Sequence, residues 1–246
     1  MVDLAIIGGT GLTALKTLEI TRREVVHTPY GAPSGPLTHG ILSSKDVVFL
    51  ARHGYAHTIP PHKVNYRANL WALKHIGVTK VIAIAAVGGI DADMKPARLV
   101  FPDQIIDYTW ARAHTYFEGD RDSVTHIDFT YPYDQTLREV LIQAARAASL
   151  DAVEQGTYGA TQGPRLETAA EIDRMERDGC HMVGMTGMPE TALARELGLR
   201  YATCAVVANW AAGRGDGGIK MSDIVHHLKI GMDKVRTLLC YVVRLI

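Results

Sequence analysis

The chain has 246 residues, 47% hydrophobic and 21% charged, which is enough for one large α/β domain with a full core over residues 1–246. Lys plus Arg equals Asp plus Glu at 26 each, so no basic footprint for nucleic acid or an anionic membrane is present, and any anion must be met by a local site. Cys180, Cys204 and Cys240 form no CxxC pair, which argues against a zinc site or a disulfide framework and fits a reducing, cytoplasmic compartment.

Short apolar runs alternate with helical patterns, which predicts an α/β fold with a central sheet flanked by helices. Strands are predicted at Leu4–Ile7, Val47–Ala51, Val81–Ala86, Gln104–Tyr108, Glu154–Thr161 and Tyr201–Val207. Their nearly continuous apolar character predicts burial on both faces. Leu4–Ile7 runs straight into glycines, so it reads as a strand and not as a secretory leader. The longest apolar run, Val81 to Ile90 with two glycines, is too short to span a bilayer.

Helices are predicted at Tyr66–Ile76, Gln135–Ala147, Ala169–Asp178, Pro189–Leu197 and Ser222–Leu245. Thr168 and Glu171 have capping-box spacing. Pro189 suits a first helical position, and Gly198 a stop. Two long irregular stretches, Pro29–Pro36 and Ala111–Tyr133, have the length of functional or interface loops.

Three strand ends carry residues suited to an anion. Gly8-Gly9-Thr10-Gly11 follows the first strand: glycines admit close backbone approach, successive N–H groups can form an anion nest, and Thr10 adds a hydroxyl. A plain tight turn explains the same glycines equally well. A dinucleotide motif is a rival, although Thr13 stands where its last glycine would be. Arg52-His53-Gly54 follows the second strand, offering a guanidinium matched to phosphate and an imidazole as a second donor. The same tripeptide suits a histidine phosphatase, with His53 as nucleophile. The third strand ends in Ala85-Ala86-Val87-Gly88-Gly89, whose small residues let a ligand reach the backbone at a strand's carboxyl end.

Several stretches together resemble the trimeric purine nucleoside phosphorylase and methylthioadenosine phosphorylase family. They are IIGGTGL (6–12), LARHG (50–54), HKVNYRANLWALK (62–74), GPRLET (163–168), VGMTGMPE (183–190) and VVANWAAG (206–213), in the expected order over essentially the whole chain. The resemblance implies a twisted, mixed central β-sheet flanked by helices, and a homotrimer. It implies that Thr10, Arg52, His53, the Ala85-Ala86 backbone and Thr186 hold phosphate, with Met185 against the ribose. No organic cofactor or metal is implied, because inorganic phosphate is the co-substrate.

Two positions bear on the base. Glu167 matches the glutamate of the purine nucleoside phosphorylase branch, where the methylthioadenosine branch has a small polar residue. A carboxylate accepts the ring proton of a 6-oxopurine, whereas it meets adenine acceptor to acceptor. Asn209, in Asn209-Trp210-Ala211, stands where the adenine-using branch carries the first of two aspartates. Its amide can bond ring nitrogen 7 and the 6-oxygen and stabilise charge on the departing base. Leu166, Trp210 and Ala211 flank these two as expected substrate contacts. A support role at the Thr168 helix start for Glu167, and a structural role for Asn209, are the plain alternatives.

At the sugar, the hydroxyl-using branch places a histidine near Gly217–Ser222, whereas Met221 with Ile224 and Val225 reads as apolar and suits a methylthio group. His226 and His227 restore a polar contact if the register slips. His126 resembles a residue reaching a neighbouring subunit's sugar pocket. The pair implied is a 6-oxopurine base on a 5′-methylthio sugar. An ordinary 6-oxopurine nucleoside phosphorylase, a methylthioadenosine phosphorylase with relaxed base reading, a histidine phosphatase and a non-catalytic purine-binding protein remain as alternatives.

Overall fold

The computed structural model describes residues 2–12, 15–119 and 123–246. Thr13, the residue weighed against a dinucleotide motif, lies outside them, as do positions 120–122 of the long stretch Ala111–Tyr133. The strands are β1 (Leu4–Gly8), β2 (Glu19–Glu24), β3 (Leu37–Leu42), β4 (Lys45–Ala51), β5 (Lys80–Gly89), β6 (Leu99–Val100), β7 (Gln104–Asp107), β8 (Ala152–Val153), β9 (Thr157–Ala160), β10 (Met182–Gly184) and β11 (Arg200–Trp210). The helices are α1 (Tyr66–His75), α2 (Gln135–Ala147), α3 (Ala169–Arg177), α4 (Gly187–Glu196) and α5 (Met221–Leu245).

All the described strands join one mixed sheet, ordered β2-β3-β4-β1-β5-β10-β9-β7, with β11, β6 and β8 branching from β5. The expected α/β architecture with a helix-flanked central sheet is what forms. Alternation along β1 shows how it is covered. Leu4 and Ile6 pack in one buried cluster with Leu141 of α2 and Val235 and Leu239 of α5, while Ala5 and Ile7 pack in another with Leu70 and Leu73 of α1 and Leu193 of α4. At its centre both faces of the sheet are therefore dry, which is why its central strands read as continuous apolar runs.

The strand β5 positions the site. Its first half pairs in parallel with β1, ending at Ile7 with Ala83. On the same side its last residues pair antiparallel with β10, at Gly88 with Val183 and Gly89 with Met182. Between these two partners the edge of Ile84 to Val87 is unpaired, and a crevice opens where the strand changes neighbour. On its other side β5 runs alongside β11 throughout, with a bulge between Val207 and Asn209. Bulges re-aim the residues that follow them, here at the strand end that carries Asn209.

Several boundaries differ from the sequence reading. The predicted strand Glu154–Thr161 shortens to β9 (Thr157–Ala160), with β8 lying before it, and Gly156 at φ +151° interrupts the chain between the two. The strands β2 and β3 carry no continuous apolar pattern, and β10 has only three residues, so none of these was anticipated. Met188 is extended at φ −116°, ψ 141°, so regular helix in α4 begins at Pro189, as read from sequence. The capping box of α3 forms, with Thr168 and Glu171 bonding each other's backbone N–H. Among the described residues no helix is long and apolar enough to cross a membrane.

Candidate active site

A cavity of about 380 Å³ occupies the crevice at the end of β1, β4 and β5. Thr10, Arg52, His53, Ala85, Ala86 and Thr186 all line it, so one pocket gathers the six residues expected to handle phosphate. Met185, Leu166, Glu167, Asn209 and Ala211 line it as well.

At the inner corner, Arg52 is 1% exposed. Its Nε and Nη2 donate to the two carboxylate oxygens of Glu190 at 2.6 and 2.7 Å, and its Nη1 donates to Ile84 O at 2.8 Å. The Tyr201 hydroxyl also donates to Glu190, at 2.7 Å. Burial works against the Arg52 charge, but Glu190 outweighs it, so the guanidinium stays ionised with its pKa raised. Three of its five N–H groups are thus committed, and two remain. A Cβ on Gly9 would lie 3.0 Å from Arg52 Nη1 and closer to Ile84 O, so the first loop meets the guanidinium backbone-on.

His53 is 7% exposed, and its Nδ1 lies 2.8 Å from Ile59 O. A carbonyl only accepts, so Nδ1 carries a proton. Burial first, then the Arg52 charge, pull the His53 pKa down to about 4. The ring is neutral near pH 7, and Nε2 is an acceptor, not the second donor expected from sequence. Thr186, at the start of α4, makes no side-chain cap and lines the cavity, with its backbone N–H donating to the Tyr158 hydroxyl at 3.4 Å.

Glu167 is half-buried, and its Oε1 accepts from Thr161 Oγ1 at 2.6 Å. It takes no part in the α3 capping box; Glu171 fills that role, with its pKa lowered to about 2 chiefly by hydrogen bonds from Arg165. Asn209 is half-buried, and its Nδ2 donates to Trp210 O at 2.6 Å, leaving one amide N–H and the carbonyl oxygen. Trp210 faces a smaller neighbouring cavity rather than the main one.

The sugar-end assignment needs correction. Met221 is 66% exposed at the first turn of α5 and lies outside the cavity, as does Val225. Ile219, Ile224 and Leu228 line it instead. Ile224 and Leu228 are one helical turn apart on the face of α5 that continues into buried Met232 and Val235, whereas Met221 and Val225 sit on its outer face. His227 does not line the cavity; its ring lies against Ala208 O at 3.1 Å, tying α5 to β11. His126 is exposed and away from the cavity of its own chain.

Three contributors were missed from sequence. Glu190 was read only as part of a helix start, and Tyr201 as a strand residue. Arg112, buried in the long stretch after β7, donates to Thr161 O, Gln162 O, Met185 O and Met188 O, joining the two segments that carry Glu167 and Thr186. The asparagines of stretch 62–74 are also structural: Asn65 caps α1 and bonds Tyr30 O, and buried Asn69 bonds Ser34 twice, fixing the Pro29–Pro36 stretch.

A family model described as the phosphorylase superfamily matches residues 3–244. The chain belongs to the phosphorylase superfamily. This phosphorylase is 52% identical over 242 residues to a Pseudomonas syringae pv. tomato protein named probable S-methyl-5′-thioinosine phosphorylase, with 98% of each chain covered. It is 47% identical over 230 residues to the 6-oxopurine nucleoside phosphorylase of Pyrococcus furiosus, covering 92% of this chain and 86% of that one. Among solved structures, methylthioadenosine phosphorylase from Schistosoma mansoni in complex with adenine matches the phosphorylase with a TM-score of 0.95 at 33% identity, covering 100% of this chain and 92% of that one.

Proposed function

We propose that this enzyme phosphorolyses S-methyl-5′-thioinosine to hypoxanthine and 5-methylthioribose 1-phosphate. The observation that carries the reading is a single cavity joining Glu167 and Asn209 to the apolar surface of Ile219, Ile224 and Leu228. A carboxylate and an amide fit a 6-oxopurine, and the apolar end fits a methylthio group better than a hydroxyl. Relatives bearing the methylthioinosine name at 51–54% identity support it.

Phosphate lies under the sugar, held by Arg52, Thr10, Thr186 and backbone N–H groups beside Ala85 and Ala86, with His53 against one of its oxygens. Binding converts an encounter into an oriented attack on the anomeric carbon. The glycosidic bond breaks ahead of bond formation, and the phosphate charge balances the cationic sugar. Electrons flow into the purine, where Asn209 and Glu167 stabilise the departing base as charge develops. Phosphate is the nucleophile, so the reaction calls on no covalent enzyme intermediate and no organic cofactor.

The functional unit is one nucleoside phosphorylase domain over residues 1–246, acting in the cytoplasm as a homotrimer. Phe117, Val124 and Tyr131 are exposed apolar side chains on the same stretch as His126, and Trp110 is exposed just before it, which supports association of copies through this region. His126 then completes the sugar pocket of the adjoining copy.

The test is product analysis with purified enzyme and methylthioinosine, with and without phosphate. Hypoxanthine and a sugar phosphate appear only when phosphate is present. Hypoxanthine release without phosphate identifies a hydrolase, and phosphohistidine trapped on His53 identifies a phosphatase. The second reading, a general 6-oxopurine nucleoside phosphorylase, is favoured by the Pyrococcus furiosus relative and requires inosine to be the better substrate.

A further inference from the structure

Resting on the phosphate reading of the Arg52–His53 corner, we infer that His53 is a specificity residue that selects an oxyanion carrying a proton. Its Nε2 accepts a hydrogen bond from a P–OH group, which favours hydrogen phosphate and hydrogen arsenate over sulfate.

Two observations carry this. The first is the fixed tautomer. The Ile59 carbonyl, 2.8 Å from Nδ1, can only accept, so the single proton of the neutral ring sits on Nδ1 and the lone pair on Nε2. Nε2 has no partner among the described residues, and His53 lines the cavity shared with Arg52, Thr10 and Thr186. An oxyanion placed there meets a lone pair. Hydrogen phosphate turns its hydroxyl to it; sulfate has only lone pairs of its own and faces it acceptor to acceptor.

The second is the charge balance around the ring. Arg52 is matched by Glu190 in a buried two-pronged pair, with side-chain exposures of 1% and 0%. A field that would attract every dianion alike is therefore muted, and discrimination falls to hydrogen bonds. The groups facing His53 are Arg52 beside it, Glu190 on α4 behind Arg52, and His57, whose ring centroid is 4.9 Å away. Burial and the Arg52 charge keep the ring neutral until the pH approaches about 4. The hydrogen bond needs no proton to leave phosphate: the P–OH proton stays on its oxygen while another oxygen attacks.

Calorimetric titration of phosphate, arsenate and sulfate into the free enzyme at pH 7.5 tests the inference. Phosphate and arsenate bind more tightly than sulfate by about tenfold or more, the size expected of one hydrogen bond to a charged partner. In His53→Asn the amide can still reach Ile59 O but has no acceptor at the Nε2 position, so phosphate affinity falls towards that of sulfate, while sulfate, no longer facing a lone pair, binds at least as tightly as in the wild type. Retained sulfate binding also shows that the variant is folded. If it does not fold, the wild-type order of the three anions decides. Equal affinities in the wild type, or equal loss of both anions in His53→Asn, overturn the inference. Arg52→Lys separates this from the underlying reading: it weakens all three anions, and if it weakens none, the phosphate assignment itself falls.

Discussion

Glu190 grips Arg52 from behind, carboxylate to guanidinium, with paired bonds of 2.6 and 2.7 Å and both side chains out of water. The two residues are 138 positions apart, on α4 and at the end of β4. Tyr201 on β11 completes the carboxylate's partners. The guanidinium is thus oriented before any anion arrives, which is the kind of preorganisation that electrostatic catalysis requires.

Glu190→Gln leaves Arg52 as a buried, uncompensated charge. Removing one partner of such a pair costs about 3–5 kcal/mol. Because phosphate can then supply the missing negative charge, added phosphate raises the Tm of Glu190→Gln more than that of the wild type. Equal shifts in a thermal melt would contradict the charge balance described for the Arg52 corner. Tyr201→Phe keeps the pair and costs about 1 kcal/mol through the lost hydrogen bond.

Thr161 orients Glu167 through a 2.6 Å bond. Thr161→Val removes the donor and keeps the shape, so kcat/KM for 6-oxopurine nucleosides falls by about five- to tenfold, the worth of one hydrogen bond. Thr161→Ser restores it. Glu167→Gln goes further and reduces the preference for 6-oxopurines over adenine nucleosides, since an amide can meet either ring edge. Selectivity unchanged in Glu167→Gln would remove the carboxylate from base reading.

Arg112 binds four carbonyls from two segments. Arg112→Met leaves those carbonyls short of donors and destabilises the fold by about 2–4 kcal/mol. The loss is read as a lower urea midpoint, and kcat drops along with it because Thr186 and Glu167 lose their common brace.

The stability profile should carry the signature of His53. Its folded pKa of about 4 lies below the ordinary 6.5, so the unfolded chain binds a proton that the folded chain does not between these values. The stability that the neutral ring allows is complete above pH 6.5 and is lost as pH falls through that window, by a few kcal/mol to order of magnitude. Glu171, held near 2 chiefly by Arg165, keeps its contribution above the ordinary carboxylate value of 4.5 and loses it only as pH falls below that, so the two windows hardly overlap. Urea midpoints between pH 4 and 6.5 should fall less steeply in His53→Asn than in the wild type.

Much of this was legible in the sequence because burial leaves a pattern. The strands β1, β4, β5 and β11 are apolar throughout their buried lengths and were readable, as were the five helices. The strand β2 was not: Glu19–Glu24 is polar and solvent-facing along nearly its whole length, so nothing marks it as extended. The strand β10 has three residues, too few for a period. In the candidate site, loops after strands announced themselves by composition. The Arg52–Glu190 pair did not, since a long-range ion pair leaves no local trace. Met221 illustrates a recoverable error. Ile224, Leu228, Met232 and Val235 follow helical spacing on the inward face of α5, and that stripe sets the phase that leaves Met221 outside.

The central claim is a 6-oxopurine base on a methylthio sugar. It is tested most directly by kcat/KM for methylthioinosine, methylthioadenosine, inosine and adenosine at saturating phosphate. The account predicts methylthioinosine to be preferred over methylthioadenosine through Glu167 and Asn209, and over inosine through Ile219, Ile224 and Leu228. A clear preference for inosine or for methylthioadenosine would contradict it.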